Sequence, residues 1–309
     1  MKCLVIGGSG FLGSHLVKKL HEKRHTGVVL DIQPSLTIIE NFQYVIGPIE
    51  TAHLQFDTDI PFDVVFHLAS SSVPGNAHLD IVGDLIANVV SSVKFAFECA
   101  TKGNAKLVFL SSGGTVYGDL GTRRLVETDP LRPRSAYGAA KLSIETYLQV
   151  LGINHALDYR IVRLSNPYGP GQSPWGIQGL VPVLMRKISL FEEIEIWGNG
   201  SAVRDYVYID DVIQGLIDIA TSVQKQQIYN LGSGSGQSVN EMISLIENVT
   251  GLKARINYRA ARSFDIGYNV LDPTLLKKNT GWTASTKMEV GLLQTWEAIR
   301  PLLALSENI

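Results

Sequence analysis

Tyr137 and Lys141 stand four residues apart in Ser135-Ala136-Tyr137-Gly138-Ala139-Ala140-Lys141, a spacing that puts both on one face of a helix. A tyrosine hydroxyl ordinarily titrates near 10 and is by itself a poor base at neutral pH. A neighbouring ammonium, and a positively charged ring of a bound cofactor, would both favour the phenolate, bringing its proton affinity toward the working range. The Lys141 ammonium could also hydrogen-bond a nicotinamide ribose. Tyr-x-x-x-Lys alone occurs on many solvated helices and gains its meaning from what surrounds it.

Such a pair needs a partner hydroxyl to hold the reacting carbinol oxygen. Leu110-Ser111-Ser112-Gly113-Gly114-Thr115-Val116-Tyr117-Gly118 supplies two candidates, Ser112 and Thr115. Thr115 is preferred, because the two glycines let its backbone approach a ligand closely. A plain serine-rich turn remains open for either. His67, followed by Leu68-Ala69 in an apolar run, reads as a packed histidine rather than a general base. No Gly-x-Ser-x-Gly elbow and no metal-ligand cluster is present, which argues against hydrolysis and against a zinc site.

The pair must be carried by a scaffold, and the chain opens on one. MKCLVIGGSGFLG runs a short apolar strand over residues 3–6 into Gly7, Gly10 and Gly13, with a helix beginning near Phe11. Backbone N–H groups and a helix N-terminus then face a bound phosphate. Asp31 follows a second apolar run, 28–30; a carboxylate there accepts hydrogen bonds from an adenosine ribose and disfavours a 2′-phosphate, so NAD is expected over NADP.

Further strands are predicted over 42–46, 62–68, 106–110 and 156–164, a brief helix over 51–55, and helices over 87–101 and 136–150. This alternation specifies an α/β fold, a Rossmann doubly wound parallel sheet. Asn166-Pro167-Tyr168-Gly169-Pro170-Gly171 ends regular structure abruptly and suggests a rigid ligand loop or a plain connection. Beyond it the pattern weakens into helices over 180–189, 210–222, 238–250, 274–279 and 287–303. Strands are expected over 194–197, 227–231 (returning toward the sheet) and 256–258. Ser238 with Glu241 is a capping-box signature. The expected organisation is a cofactor domain over 1–165, completed by segments around 205–235. A smaller mixed α/β substrate lobe, mainly 166–309, is interleaved with it.

With 309 residues the chain can fill a large core, and a formal net charge of -2 with 18% charged residues leaves no broad basic surface for a nucleic-acid polymer. No apolar leader or membrane-length run is seen, so a soluble, unexported, cytoplasmic protein is expected. Cys3 and Cys99 both lie in apolar segments and read as buried free thiols.

These motifs together resemble the extended short-chain dehydrogenase/reductase family, and within it the UDP-sugar 4-epimerases. The resemblance runs through His67-Leu68-Ala69, Thr115-Val116-Tyr117-Gly118, Arg163-Leu164-Ser165-Asn166-Pro167-Tyr168-Gly169-Pro170-Gly171, Gly198-Asn199-Gly200, Val203-Arg204-Asp205-Tyr206-Val207 and Tyr229-Asn230-Leu231-Gly232. It implies NAD held by Gly7, Gly10, Phe11, Leu12, Gly13, Asp31, Leu68, Ala69, Ser70, Asn88 and Ser111, with Tyr137 and Lys141. It implies a UDP-sugar contacted by Thr115, Asn166, Leu180, Trp197, Arg204 and Arg262. The implied reaction is an internal redox cycle at sugar C4 through a transient 4-keto sugar, in a homodimer paired through helices 87–101 and 136–150.

Several positions depart from the family pattern. The usual catalytic serine or threonine aligns with Gly113, Gly47-Pro48-Ile49 replaces an acid near adenine, and Ser72 stands for a common lysine. Gly114-Thr115 replaces the Asp-Glu pair of the related 4,6-dehydratases, which argues against dehydration. Asn269 aligns with a position that gates pocket size, implying that UDP-N-acetylhexosamines enter as well as UDP-glucose and UDP-galactose. A UDP-uronate 4-epimerase, a reductase or dehydrogenase of the same family, and a non-catalytic nucleotide sensor remain as alternatives.

Overall fold

The computed structural model describes residues 1–49, 62–176, 178–261 and 266–306. Its centre is a sheet of seven parallel strands: β1 (Lys2–Ile6), β2 (Thr26–Asp31), β3 (Phe42–Ile46), β4 (Val64–His67), β5 (Lys106–Ser112), β6 (Tyr159–Leu164) and β10 (Ile228–Leu231). Their order is β10-β6-β5-β4-β1-β2-β3, so the winding reverses between β1 and β4, where a ligand crevice opens at the strands' carboxyl ends. Alternate residues feed two apolar layers. Cys3 and Val5 pack with Leu16 and Leu20 on one face, and Leu4 and Ile6 pack with Phe109, Ile144 and Leu148 on the other. Burying both faces is what turns alternating strands into continuous apolar runs.

The helices in chain order are α1 (Phe11–Glu22), α2 (Ile81–Asp84), a π-helical segment (Leu85–Val90), α3 (Ser91–Lys102), α4 (Ala136–His155), α5 (Leu180–Ser189), α6 (Ile209–Thr221), α7 (Val239–Thr250), α8 (Thr274–Thr280) and α9 (Met288–Ser306). A mixed sheet is built on β9 (Val203–Tyr208), which pairs with β7 (Asn166–Tyr168), β11 (Gly236–Ser238) and β13 (Tyr268–Asn269), while β8 (Glu193–Trp197) pairs with β12 (Arg255–Arg259). β7 follows directly on the carboxyl end of β6 and pairs with β9, which joins this smaller mixed region to the large sheet.

Three differences from the sequence reading have local causes. The helix expected over 87–101 begins at Ile81, where Asp80 caps it by accepting from Gly83 N at 2.9 Å, and passes through the π segment. β5 continues through Ser111 and Ser112 because β6 pairs with both. Residues 166–168, expected to be irregular, pair with Tyr206–Tyr208 of β9. The capping box at Ser238 and Glu241 is formed. The short helix expected over 51–55 lies outside the described residues, as does Arg262.

Candidate active site

The scaffold presents the pair through α4. Ser135 caps that helix by accepting from Gly138 N at 3.1 Å, which sets Tyr137 in its first turn. A Cβ on Gly138 would sit 2.8 Å from the Thr115 carbonyl oxygen and 3.1 Å from Pro133 Cβ. Glycine there lets the helix lie against the loop that follows β5, bringing Tyr137 and Lys141 to the hydroxyls of that loop.

Leu12, Leu68, Ser70, Ser111, Ser112, Thr115, Tyr137, Lys141, Asn166, Leu180 and Arg204 all line one cavity of about 570 Å³. Lys141 is buried, its ammonium 3.0 Å from the Leu110 carbonyl it donates to, 4.9 Å from the Phe109 ring centroid and 5.6 Å from that of Tyr137. Burial pulls its pKa down to about 8, opposed by the charges of Asp84 and Glu145. Burial pushes Tyr137 up to about 12, with Asp84 adding to the rise. Desolvation of the phenolate is the larger cause at Tyr137, and the Lys141 hydrogen bond goes to the Leu110 carbonyl.

Two hydroxyls stand ready beside the pair. The Thr115 Oγ1 is buried without a hydrogen-bond partner among the described residues, and Ser112 lines the same wall. At position 113 a Cβ would meet Leu271 Cδ1 at 2.5 Å, so a side chain there would collide with Leu271. Ser112 and Thr115, on either side of positions 113 and 114, both reach the cavity wall. His67 is buried, its Nε2 is 2.8 Å from Ser92 Oγ, and burial with the Lys141 charge pulls it down to about 3; it is a neutral, packed histidine.

The N-terminal glycines form a cradle suited to a dinucleotide. Gly7 has φ of +82°, and a Cβ on it would lie 2.7 Å from Ala69 N; one on Gly13 would lie 2.2 Å from the Gly7 carbonyl oxygen. Both hold the turn shut, whereas at Gly10 a Cβ would meet only the Gly7 oxygen, at 3.5 Å, leaving that backbone open to a phosphate. Asp31 accepts from Ser9 N at 2.9 Å and Gln33 N at 3.0 Å, and a carboxylate so fixed has lone pairs left for ribose hydroxyls. These residues fit NAD.

Asn88, Asn269 and Trp197 are not among the described lining residues of that cavity. Asn88 spends its amide on the protein, accepting from Ser71 N and donating to Asp84 Oδ1, each at 2.8 Å, so it braces the loop after β4. Asn269 is fully buried and donates to the Gly113 carbonyl at 3.1 Å. Trp197 sits on β8 opposite Arg259, 45% exposed. Five polar lining residues were not singled out as site residues from the sequence: Ser165, Tyr168, Gln172, Gln178 and Tyr206. Ser165 is buried with its Oγ unpartnered among the described residues; its place next to Asn166, at the end of a strand, was the available signal.

Comparison with known proteins bears directly on this site. The model of the NAD dependent epimerase/dehydratase family matches residues 3–232. UDP-glucose 4-epimerase of Mycolicibacterium smegmatis is 31% identical over 309 residues, covering 97% of this chain and 99% of that protein. dTDP-4-dehydro-6-deoxyglucose reductase of Escherichia coli is 29% identical over 307 residues, covering 96% and 97%. The crystal structure of Thermotoga maritima UDP-glucose 4-epimerase with UDP-glucose superposes with a TM-score of 0.91 at 32% identity, covering 98% of this chain and 100% of that one.

Proposed function

Because the chain belongs to the NAD dependent epimerase/dehydratase family, we propose that it is an NAD-dependent 4-epimerase of a UDP-hexose, interconverting UDP-glucose and UDP-galactose. The observation that carries this reading is the content of the cleft. The Tyr137 and Lys141 pair shares it with Ser112 and Thr115, and no carboxylate is among its described lining residues, so proton transfer at one carbinol is provided for and dehydration is not.

Bound NAD would supply hydride chemistry at sugar C4, and its positive ring would favour the phenolate. Tyr137 Oη removes the 4-hydroxyl proton as a base and gives it back as an acid. Lys141 supplies the adjacent positive charge that supports the phenolate, and Thr115 with Ser112 holds the 4-oxygen. Gly7, Gly10 and Gly13 seat the pyrophosphate at the start of α1 with Phe11 and Leu12, Asp31 takes the adenosine ribose, and Leu68, Ala69, Ser70 and Ser111 flank the remainder. Arg204, with Arg262, anchors the sugar nucleotide's diphosphate while the 4-keto sugar turns about its link to it. Asn166 and Leu180 contact the sugar nucleotide, and Trp197 flanks the uracil. Lys141 and Arg204 are the cations among the described lining residues, which favours a neutral hexose over a uronate.

Residues 1–165, completed by α6 and β10, serve as the cofactor unit, and 166–309 mainly as the sugar-nucleotide unit. The pairing of β10 with β6 supports that division. A homodimer belongs to the same reading, supported by exposed apolar side chains at Val82, Ile86, Val90 and Phe97 and at Tyr147 and Val150, and the cytoplasm is the location that goes with it. No described helix is long and apolar enough to cross a membrane.

The test is an NMR time course with UDP-glucose, UDP-N-acetylglucosamine and UDP-glucuronate in separate tubes, without added cofactor. UDP-galactose forming in the first tube is the expected result. The similarity to the Escherichia coli reductase favours one second reading, a reductase that releases its product; stoichiometric consumption of added NADH with a 4-keto sugar nucleotide would select it.

A further inference from the structure

Glu145 lies four residues beyond Lys141 on α4, so Tyr137, Lys141 and Glu145 form one stripe along the helix. Its side chain is 0% exposed, and that of its partner Arg163, on β6, is 2% exposed. Arg163 grips the carboxylate from two nitrogens: Nε donates to Oε1 and Oε2 at 3.2 and 3.1 Å, and Nη2 donates to Oε2 at 2.7 Å. Ser111 Oγ, near the end of β5, donates to Oε1. The remaining Arg163 nitrogen donates to Tyr117 Oη and to the Glu127 carbonyl, both at 3.0 Å, and Tyr117 Oη donates to Asn230 Oδ1 at 2.7 Å. One carboxylate thus joins the helix that bears the proton-transfer pair to the ends of two strands. It also joins that helix to the 111–118 segment that bears Ser112 and Thr115.

A buried ion pair of this kind adds little net stability over apolar residues of the same volume, although breaking it from one side is severe. What it does supply is a fixed direction and distance, because a guanidinium fork and a carboxylate meet in one geometry.

We propose that Glu145 is a positioning residue for proton transfer, holding the Tyr137 and Lys141 face of α4 in register with the hydroxyls of the 111–118 segment. The proposal rests on the 4-epimerase reading for its catalytic consequence, but not for its electrostatic one. The groups facing Lys141 are Asp84 from α2, Glu145 and Tyr137 from its own helix, and His67 from β4, which is neutral. Burial holds the ammonium down to about 8 while Asp84 and Glu145 oppose the fall. Removing the Glu145 charge moves the Lys141 titration to lower pH.

The experiment compares the wild-type holoenzyme with Glu145→Gln and with a charge-free pair, Glu145→Met with Arg163→Met. The readouts are kcat, KM for UDP-glucose, the thermal midpoint, and the titration of Lys141 by NMR in protein carrying ¹³C-labelled lysine. The Lys141 signal is assigned by its loss in Lys141→Arg. Misplacement by about 1 Å lowers turnover roughly 100-fold, so Glu145→Gln is expected to lower kcat by about that factor with KM little changed, and to move the Lys141 midpoint to lower pH. The charge-free pair is expected to regain the thermal midpoint without regaining kcat. Recovery of kcat together with stability in that pair, or an unchanged Lys141 midpoint in Glu145→Gln, would overturn the proposal. If Glu145→Gln does not fold, the charge-free pair decides through kcat. If the wild type does not epimerise UDP-glucose, the reaction reading fails and the Lys141 midpoint still decides the role of Glu145.

Discussion

Gly138→Ala is the substitution in which helix propensity and site geometry disagree most sharply. In an exposed helix interior the change stabilises by about 1 kcal/mol. Here the added methyl would stand 2.8 Å from the Thr115 carbonyl oxygen and 3.2 Å from its carbonyl carbon. Ordinary contact begins near 3.4 Å, so backbone must give by roughly 0.6 Å, and neither atom is the end of a flexible side chain. Overpacking of this kind costs about 1–3 kcal/mol, which for a chain of 309 residues lowers the thermal midpoint by about 2–5 °C. The same shift separates Tyr137 from Thr115, so kcat should fall by about 10- to 100-fold. Differential scanning fluorimetry and a coupled epimerase assay on one preparation read both effects. A variant more stable than wild type with unchanged kcat would refute the claim that Gly138 sets the distance between helix and loop.

Tyr137→Phe removes the proton-transfer oxygen and should lower kcat by about 100- to 10,000-fold while the protein still retains bound NAD, read as nucleotide released on denaturation. Thr115→Val deletes the unpartnered buried hydroxyl and should lower kcat more than Ser112→Ala does; equal or reversed losses in steady-state kinetics would move the hydroxyl role to Ser112. Asp31→Ser removes the carboxylate that disfavours a 2′-phosphate, so the ratio of NADP to NAD affinity measured by calorimetry should rise at least about tenfold.

Most of the large sheet was legible because its strands are short apolar runs closed by turn residues, and burial on both faces leaves that signature in local sequence. The cradle at Gly7, Gly10 and Gly13 and the spacing of Tyr137 and Lys141 were legible for the same reason, since each is a local pattern with one geometric use. What escaped depends on distant partners. β9 carries Asp205 in its middle, which local pattern reads as a loop residue. Its carboxylate accepts from Ser233, Gly234 and Leu271, all distant in sequence. Asn269 reads as a pocket gate by resemblance; that β13 pairs it opposite Arg204 and its amide reaches the Gly113 carbonyl is set by partners far along the chain. The raised Tyr137 pKa likewise follows from burial by the surrounding fold, which two residues at helical spacing do not reveal.

The central claim is that hydride leaves sugar C4 and returns to the same carbon within one binding event. Wild-type protein, with no added cofactor, is given UDP-glucose carrying deuterium at C4, and the product is read by proton NMR and mass spectrometry. UDP-galactose that keeps the deuterium at C4 is the expected product. Product carrying hydrogen at C4, or product formed only as added NADH is consumed, would contradict it.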